Sequence, residues 1–184
     1  APPGVPSNLR QTDNSQTAVR LNWDDPVANG SPIDSITVKN QETGRACSAG
    51  PAVGTCVIDG LNPGTNYSFV VKAHNAKGDS AWSGAVGGNT QARPRVVSVS
   101  KGDYLKFSGC SAGCNKVNVS VSGFAPNTRY TVNFYASPGW WASSSLTTDG
   151  NGNYSGNPGG YAYGYWGKDV WVTVDGVEAG HVRW

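Results

Sequence analysis

Leu61-Asn62-Pro63-Gly64-Thr65-Asn66-Tyr67-Ser68-Phe69-Val70-Val71-Lys72-Ala73 is the stretch of this 184-residue chain that decides its fold. Pro63-Gly64 is a turn signal, because Pro presets one backbone angle and Gly accepts backbone conformations that other residues avoid. After the turn, apolar and polar residues alternate as in a β-strand with one buried face. The inward-facing residues would be Tyr67, Phe69, Val71 and Ala73.

The same alternation recurs earlier in the chain. The odd-numbered positions of Val19-Arg20-Leu21-Asn22-Trp23 and the even-numbered positions of Ile36-Thr37-Val38-Lys39 would point into a core. Turn dipeptides such as Asn29-Gly30 and Asp59-Gly60 separate these runs. About seven short strands joined by such turns make a β-sandwich, and no segment has the period of an amphipathic helix.

Composition and charge exclude several classes of protein. Charged residues make up 14% of the chain and Gly accounts for 25 residues, a balance that disfavours long helices with a solvated face. The net charge is +2 without any run of Lys or Arg, which argues against nucleic-acid binding. No apolar stretch is long enough to span a membrane. The absence of Met favours a processed product or a fragment of a larger anchored or secreted protein.

Four cysteines fall in two local pairs, Cys47 with Cys56 and Cys110 with Cys114. Three connectivities are open, and we predict pairing within each local couple. A zinc site is the alternative, but neither spacing matches the usual two-residue knuckle and no nearby His completes a ligand set. Disulfides indicate an oxidising, extracellular setting.

The alternation stops at residues 87–94, and a new β-rich run follows. We therefore predict one domain at residues 1–92 and another at 95–184. In the second half, Phe124-Ala125-Pro126-Asn127-Thr128-Arg129-Tyr130 matches the first turn and strand start at its apolar, Pro, Thr and Tyr positions. It comes earlier in its domain than its counterpart does, which predicts a sandwich with a different strand layout.

The first half resembles a fibronectin type III domain over residues 3 to about 92. The resemblance rests on the opening Pro3-Gly4-Val5-Pro6-Ser7-Asn8-Leu9, on Trp23, and on the family's tyrosine corner at Leu61 to Tyr67. It implies that Trp23 and Tyr67 are structural residues, with the Tyr67 hydroxyl bonding back to upstream backbone. The typical member lacks a disulfide at Cys47 and Cys56.

The second half is similar to an Ig-like sandwich, in which Tyr130 would have the same structural role as Tyr67. The expected fold is therefore all-β: two tandem antiparallel β-sandwiches of fibronectin type III and Ig-like type. The tandem resembles surface-exposed fibronectin type III proteins of actinobacteria, including bifidobacteria, and this resemblance implies contact with host proteins.

Residues that could support catalysis are few. The chain contains two His, His74 and His181, and two Glu, Glu42 and Glu178, all in predicted strands or turns without an apparent partner. No nucleophile elbow, phosphate loop or zinc-protease helix is present. We predict that the protein is not an enzyme and that it needs no cofactor or metal.

Asp149-x-Asn151-x-Asn153 matches the first three ligand positions of an EF-hand-type calcium loop. The match ends there, because Tyr154 stands where the loop needs Gly and Gly160 where it needs a bidentate Glu. A hairpin turn explains the same residues without a metal.

Asp79-Ser80-Ala81-Trp82-Ser83 is similar to the Trp-Ser-x-Trp-Ser box of cytokine receptors, with Asp79 in place of the first Trp. The box has a structural role in those receptors, so Trp82 is expected to cover an edge of the sandwich. The resemblance also suggests a host cytokine as a ligand.

Aromatic residues are concentrated among glycines between Tyr154 and Trp171, and Trp140-Trp141 lies nearby. Rigid rings within adaptable Gly and Asn segments are typical of binding surfaces, although several of the rings could instead fill a core short of Leu and Ile. Alternate rings of Tyr161-Ala162-Tyr163-Gly164-Tyr165 would share one strand face. The predicted ligand-binding residues are Trp140, Trp141, Tyr161, Tyr163, Tyr165 and Trp166.

These features together predict a non-enzymatic, extracellular binding or adhesion module of a bacterial surface protein. Its partner would be a host protein, either a matrix protein or a cytokine such as tumour necrosis factor. The alternatives are a carbohydrate-binding module or a plain spacer of a secreted polysaccharide-degrading enzyme, since a row of aromatic rings also suits sugar stacking.

Overall fold

The computed structural model describes residues 1–108, 110–164 and 167–184, apart from the side chains of Ser111 and Ala112. It divides into two compact units, Ala1–Arg93 and Pro94–Trp184. Both units consist of antiparallel strands packed as two sheets, so the predicted all-β fold with two tandem sandwiches is confirmed. Among the described residues, no helix is long and apolar enough to cross a membrane.

The first unit contains eight strands: β1 Ser7–Asn14, β2 Val19–Asp24, β3 Ile33–Asn40, β4 Ala46–Ala49, β5 Thr55–Ile58, β6 Asn66–Asn75, β7 Gly78–Asp79 and β8 Val86–Asn89. One sheet has the order β1-β2-β5. In the other, β4 pairs with β3, β3 pairs with β6, and both β7 and β8 pair with the far side of β6.

The core of the first unit lies between these sheets and follows the predicted alternation. Residues predicted to face inward in β2, β3 and β6 are all buried, namely Val19, Leu21, Trp23, Ile36, Val38, Tyr67, Phe69, Val71 and Ala73. Cys47 in β4 and Cys56 in β5 form a disulfide. Because these strands lie in different sheets, the disulfide joins one sheet to the other.

The described part of the second unit contains nine strands: β9 Val96–Phe107, β10 Cys110–Ser122, β11 Arg129–Ala136, β12 Gly139–Thr147, β13 Tyr154–Gly156, β14 Ala162–Tyr163, β15 Asp169–Val174, β16 Val177–Glu178 and β17 Val182–Arg183. In one sheet, β10 pairs with β9, β13 and β14. The other sheet has the order β12-β11-β15-β16, with β17 also paired to β15. A 3₁₀ turn, Pro158–Gly160, lies between β13 and β14. Cys110 and Cys114 form the second disulfide.

The tyrosine corner of the first unit is formed as the resemblance implied. The Asn62 backbone N–H donates a 2.9 Å hydrogen bond to the Tyr67 hydroxyl. Thr90, directly after β8, adds a second link: its Oγ1 donates to the Asn62 carbonyl at 2.6 Å and accepts from the Thr65 N–H at 3.1 Å. These bonds fix the chain where it crosses from one sheet to the other.

The second unit repeats this corner bond for bond. The Ala125 N–H donates to the Tyr130 hydroxyl at 3.1 Å, and Thr148 Oγ1 donates to the Ala125 carbonyl at 2.6 Å while accepting from the Thr128 N–H at 3.0 Å. Thr148 directly follows β12, which pairs with the corner strand β11 as β8 pairs with β6. The two Tyr residues could be predicted from the sequence, but the two Thr residues could not. Each Thr is brought to its corner by the pairing of the strand before it with the corner strand.

Candidate functional site

The six aromatic residues predicted to bind a ligand do not form one exposed surface. Tyr165 and Trp166 lie outside the described residues. Trp140 is 65% exposed, whereas Trp141 and Tyr161 pack against the core and Tyr163 is only 7% exposed. Of the four described rings, Trp140 is thus the exposed one.

The predicted ladder comprised Tyr161, Tyr163 and Tyr165, and its described members, Tyr161 and Tyr163, do not form an exposed row. Among the described residues of that segment, Ala162–Tyr163 forms a strand, and Tyr163 faces the core of the second unit. The Phe134 ring meets the Tyr161 ring edge-on, with centroids 5.0 Å apart. Large rings occupy this core because the second unit supplies few Leu or Ile side chains, and each ring buries a large apolar area.

Tyr161 also covers part of a sheet edge. β12 is the edge strand of its sheet, and the Tyr161 hydroxyl donates a 2.8 Å hydrogen bond to the Ser143 carbonyl on that strand. An exposed edge with free backbone groups can pair with other chains, so this bond gives Tyr161 a structural role.

A β-bulge decides which of the two adjacent tryptophans is exposed. Phe134 pairs with Ala142 but Tyr135 pairs with Trp140, so Trp141 is an extra residue in β12. A bulge shifts the alternation of side chains by one position. Trp141 consequently packs against Phe134, Tyr161 and Tyr163, while Trp140 lies beside Tyr135 on the outer face.

Trp140 borders an open groove of about 440 Å³. Trp141 and Tyr163 line its aromatic part, and the β11–β12 turn, Ala136 to Gly139, lines the remainder. The size lies within the range of small-ligand sites, and an exposed indole at the rim of such a groove can stack on an apolar ring face.

A second aromatic group lies on the outer face of the sheet that contains β11, β12 and β15. The sequence predicted no site there. The rings of Tyr135 and Trp171 stack with centroids 5.3 Å apart and planes 7° apart. His181 stacks on the other face of Trp171 at 4.2 Å and 10°. The sequence predicts that Trp171 faces outward, because it lies between the inward-facing Val170 and Val172. The contact with His181 could not be predicted, because it depends on the pairing of β15 with β17.

Residues predicted to lack partners in fact have them. His74 Nδ1 lies 2.7 Å from Asp79 Oδ1, and His181 Nε2 lies 3.2 Å from Glu178 Oε1. Hydrogen bonds from Lys72 and His74 hold the pKa of Asp79 below its ordinary value.

Glu42 accepts a 2.9 Å hydrogen bond from the Ser68 backbone N–H, which lowers its pKa. The Asn40 side-chain amide donates a further hydrogen bond to Glu42, at 2.7 Å. Within the described parts of the chain, no group of three or more His, Cys, Asp or Glu side chains could hold a metal ion.

The box-like segment Ser80 to Ser83 is bonded to β6. Ser80 Oγ and Ser83 Oγ each accept a 3.0 Å hydrogen bond from a backbone N–H of that strand, those of Ala73 and Val71. Lys72 Nζ lies 5.0 Å from the centre of the Trp82 ring, within cation–π range. These contacts give the box a structural role in this unit.

Asp149 closes the turn between β12 and β13. These strands pair with β11 and β10 in different sheets, so the hairpin expected from the sequence is wrong and the turn crosses between sheets. Asp149 Oδ1 accepts hydrogen bonds from the N–H groups of Asn151 and Asn153, at 2.8 and 2.9 Å, which favour the charged carboxylate and lower its pKa. The geometry is that of an Asx turn, which accounts for these residues without a metal.

We expect this turn to make the second unit sensitive to acid. The folded-state pKa of Asp149 is lowered, so its contribution to stability is present above the unfolded-state pKa and is lost as pH falls through the folded-state value. Asp149→Asn keeps an oxygen acceptor but does not titrate. Thermal melts between pH 7 and pH 2.5 should show a smaller acid-induced fall in the second unit's Tm for the variant. Parallel pH profiles for the variant and the wild type would contradict this explanation.

Comparison with known proteins places the first unit in a family. The fibronectin type III domain family model matches residues 4–88. The chain is 36% identical over 93 residues to chitinase A1 of Niallia circulans and 32% identical over 81 residues to chitinase Chi52 of Paenibacillus xylanexedens. It is 35% identical over 97 residues to a titin homolog of Caenorhabditis elegans.

These matches cover only part of each protein. They span 50%, 43% and 50% of this chain, but 13% of chitinase A1, 14% of chitinase Chi52 and 0% of the titin homolog. Among solved structures, a two-domain fibronectin type III segment of chicken tenascin aligns with a TM-score of 0.50 at 20% identity, over 97% of this chain and 96% of that chain. At this identity the likeness concerns the fold alone.

Proposed function

Residues 4–88 form a fibronectin type III domain, and from that premise we propose that the chain is a non-catalytic, extracellular accessory module that binds a glycan. In this proposal the first unit is a spacer and the second unit carries the binding site. Two of the relatives are chitinases, and both match over a small part of their length, as expected for a module shared with larger proteins. Two disulfides suit an extracellular location.

The observation that carries the proposal is the exposure of Trp140 beside an aromatic-lined groove. Trp140 pairs across the sheet with Tyr135, whose ring stacks on Trp171, so its exposed indole belongs to a contiguous aromatic group on the outer face. Contiguous exposed apolar groups, unlike single exposed side chains, mark interaction sites. Sugar rings have apolar faces that pack on indole rings, and the neutral surroundings of Trp140 suit an uncharged ligand.

The host-cytokine expectation rested on the box at Ser80 to Ser83 and on the aromatic ladder. The box has structural partners and the described part of the ladder faces the core, so neither supports a cytokine over a glycan. The cytokine therefore serves as a competing outcome of the test below.

We expect Trp140→Ala to lower affinity for insoluble chitin by roughly 30-fold, the effect of losing a binding hot spot. The melting temperature should stay within the range of surface substitutions, because the side chain is largely exposed. Trp82→Ala, which removes an indole that is 41% exposed in the first unit, is the matched control and should bind as the wild type does.

Chitin pull-down and tumour necrosis factor capture, run side by side on the full chain, separate the hypotheses. Equal chitin retention by the wild type and by Trp140→Ala would refute the assignment. Capture of tumour necrosis factor that depends on Trp140, without chitin binding, would favour the host-protein hypothesis instead.

A further inference from the structure

The outer face of the sheet formed by β11, β12, β15, β16 and β17 is not used by the core. Val132 and Phe134 of β11 and Val170, Val172 and Val174 of β15 are buried on the inner face. The residues between them therefore face outward. Cross-strand pairing arranges these outward side chains in rows, each row crossing the sheet.

The first row is aromatic. Tyr135 pairs with Trp140 on one side and with Trp171 on the other, and His181 continues the row beyond Trp171. Both faces of the Trp171 ring are covered, by Tyr135 and by His181, so Trp171 is not a stacking platform for a ligand. It holds the Tyr135 ring in one orientation, which reduces the entropy lost when a ligand binds.

The next rows carry hydroxyl and amide groups. Asn133 pairs with Ser143 and with Thr173, and Ser143 Oγ donates a 2.7 Å hydrogen bond to Asn133 Oδ1. Beyond them Thr131 pairs with Ser145. An open groove of about 600 Å³ lies at this end of the two strands. Arg129, Thr131, Ser143 and Ser145 line it from the outer face, and Tyr130 and Ser144, which alternate with them along the strands, complete the lining.

Charged side chains at the margin of this face have polar partners within the protein. Glu178 lies 3.2 Å from His181, and Asp169 lies 3.4 Å from Arg183. Arg129 donates through Nε to Ser145 Oγ at 3.1 Å and keeps its positive charge at one end of the face. Between these margins the face offers rings and neutral hydrogen-bonding groups, a set complementary to a neutral ligand rich in hydroxyl groups.

We propose that this face binds an extended, neutral polysaccharide whose chain lies along β11 and β12 from Trp140 to Ser145. The proposal rests on the glycan binding proposed above and adds the path and length of the ligand. Trp140 stacks on one sugar, and Asn133, Ser143, Thr131 and Ser145 bond to the sugars that follow. On β11 this path runs opposite Tyr135 to Thr131, four residue steps or about 14 Å, which is longer than one sugar ring, so affinity should rise with chain length.

The test compares the single chitin sugar, N-acetylglucosamine, with chitin oligomers of up to six sugars on the full chain by calorimetry. The double variant Asn133→Ala, Ser143→Ala removes a hydrogen-bonded pair from the proposed path. We expect about ten-fold weaker binding of the hexamer, and unchanged binding of the single sugar at Trp140. The matched control is Ser98→Ala, Ser120→Ala, which removes a 2.6 Å hydroxyl pair from the other sheet of this unit and should match the wild type at every length.

The outcomes separate the two proposals. The path along β11 and β12 is overturned if wild-type affinity rises with oligomer length but the double variant has the wild-type affinity at every length. The proposed function would still stand in that case. No binding of any oligomer by the wild type overturns both. A double variant that weakens binding of the single sugar and of the hexamer equally also overturns the path, because the pair would then act at the Trp140 site.

Discussion

Replacing Phe134 with Ala is expected to lower the free energy of unfolding of the second unit by about 3–5 kcal/mol. Phe134 is fully buried in β11, between the two sheets. Its ring makes edge contacts with Trp141 at 5.9 Å and with Tyr161 at 5.0 Å between centroids. The substitution removes apolar area and leaves a cavity that these large rings cannot fill without leaving their rotamers.

Native-state hydrogen exchange measures this effect unit by unit. Amides of β11 and β15 should lose protection in Phe134→Ala, and amides of β3 and β6 should keep theirs. Phe69→Ala is the matched control, because Phe69 is equally buried in the first unit and should produce the opposite pattern. A loss below about 1 kcal/mol in the second unit would mean that its rings repack freely. In that case the assignment of Tyr161 and Tyr163 to a fixed core would fail.

Removing the disulfide between Cys47 and Cys56 is expected to cost the first unit about 3 kcal/mol. The partners are nine residues apart, and on the chain-entropy model the closed loop restricts the unfolded chain by that amount. The bond also holds β4 of one sheet to β5 of the other, where no backbone ladder connects them. Denaturant titration of Cys47→Ala, Cys56→Ala should show a lower midpoint for the first unit alone.

The second disulfide provides the comparison. Cys110 and Cys114 are four residues apart, so Cys110→Ala, Cys114→Ala should cost about 2 kcal/mol, in the second unit. Adding a reductant to the wild type should reproduce both losses together. An unchanged first-unit midpoint in Cys47→Ala, Cys56→Ala would show that the sheets are held together by packing alone.

The fold could be predicted from sequence because its signals are local. Alternation in β2, β3 and β6 identified the buried side chains of the first unit, since a strand has a fixed period of two. Both tyrosine corners could be recognised as short sequence motifs. Each forms the expected hydrogen bond from a backbone N–H to the Tyr hydroxyl. The pairing of Cys47 with Cys56 and of Cys110 with Cys114 followed from proximity along the chain.

The candidate site could be predicted only in part. The sequence placed Trp140 among the ligand-binding residues, and the structure leaves that ring exposed. The same reasoning selected Tyr161 and Tyr163, which pack inward, and it left Tyr135 and His181 out. Aromatic residues serve cores and binding surfaces equally well, so residue type does not separate the two uses.

What the sequence by itself determined is therefore the all-β fold, the two sandwiches, the corners and the local disulfides, each encoded within a few neighbouring residues. Only the tertiary structure decided which rings face solvent. One extra residue in β12 turns Trp141 inward and Trp140 outward, and strand pairing brings Tyr135, Trp171 and His181 together from distant positions. A bulge reverses the face of every residue beyond it, and its position depends on the partner strand rather than on the local pattern.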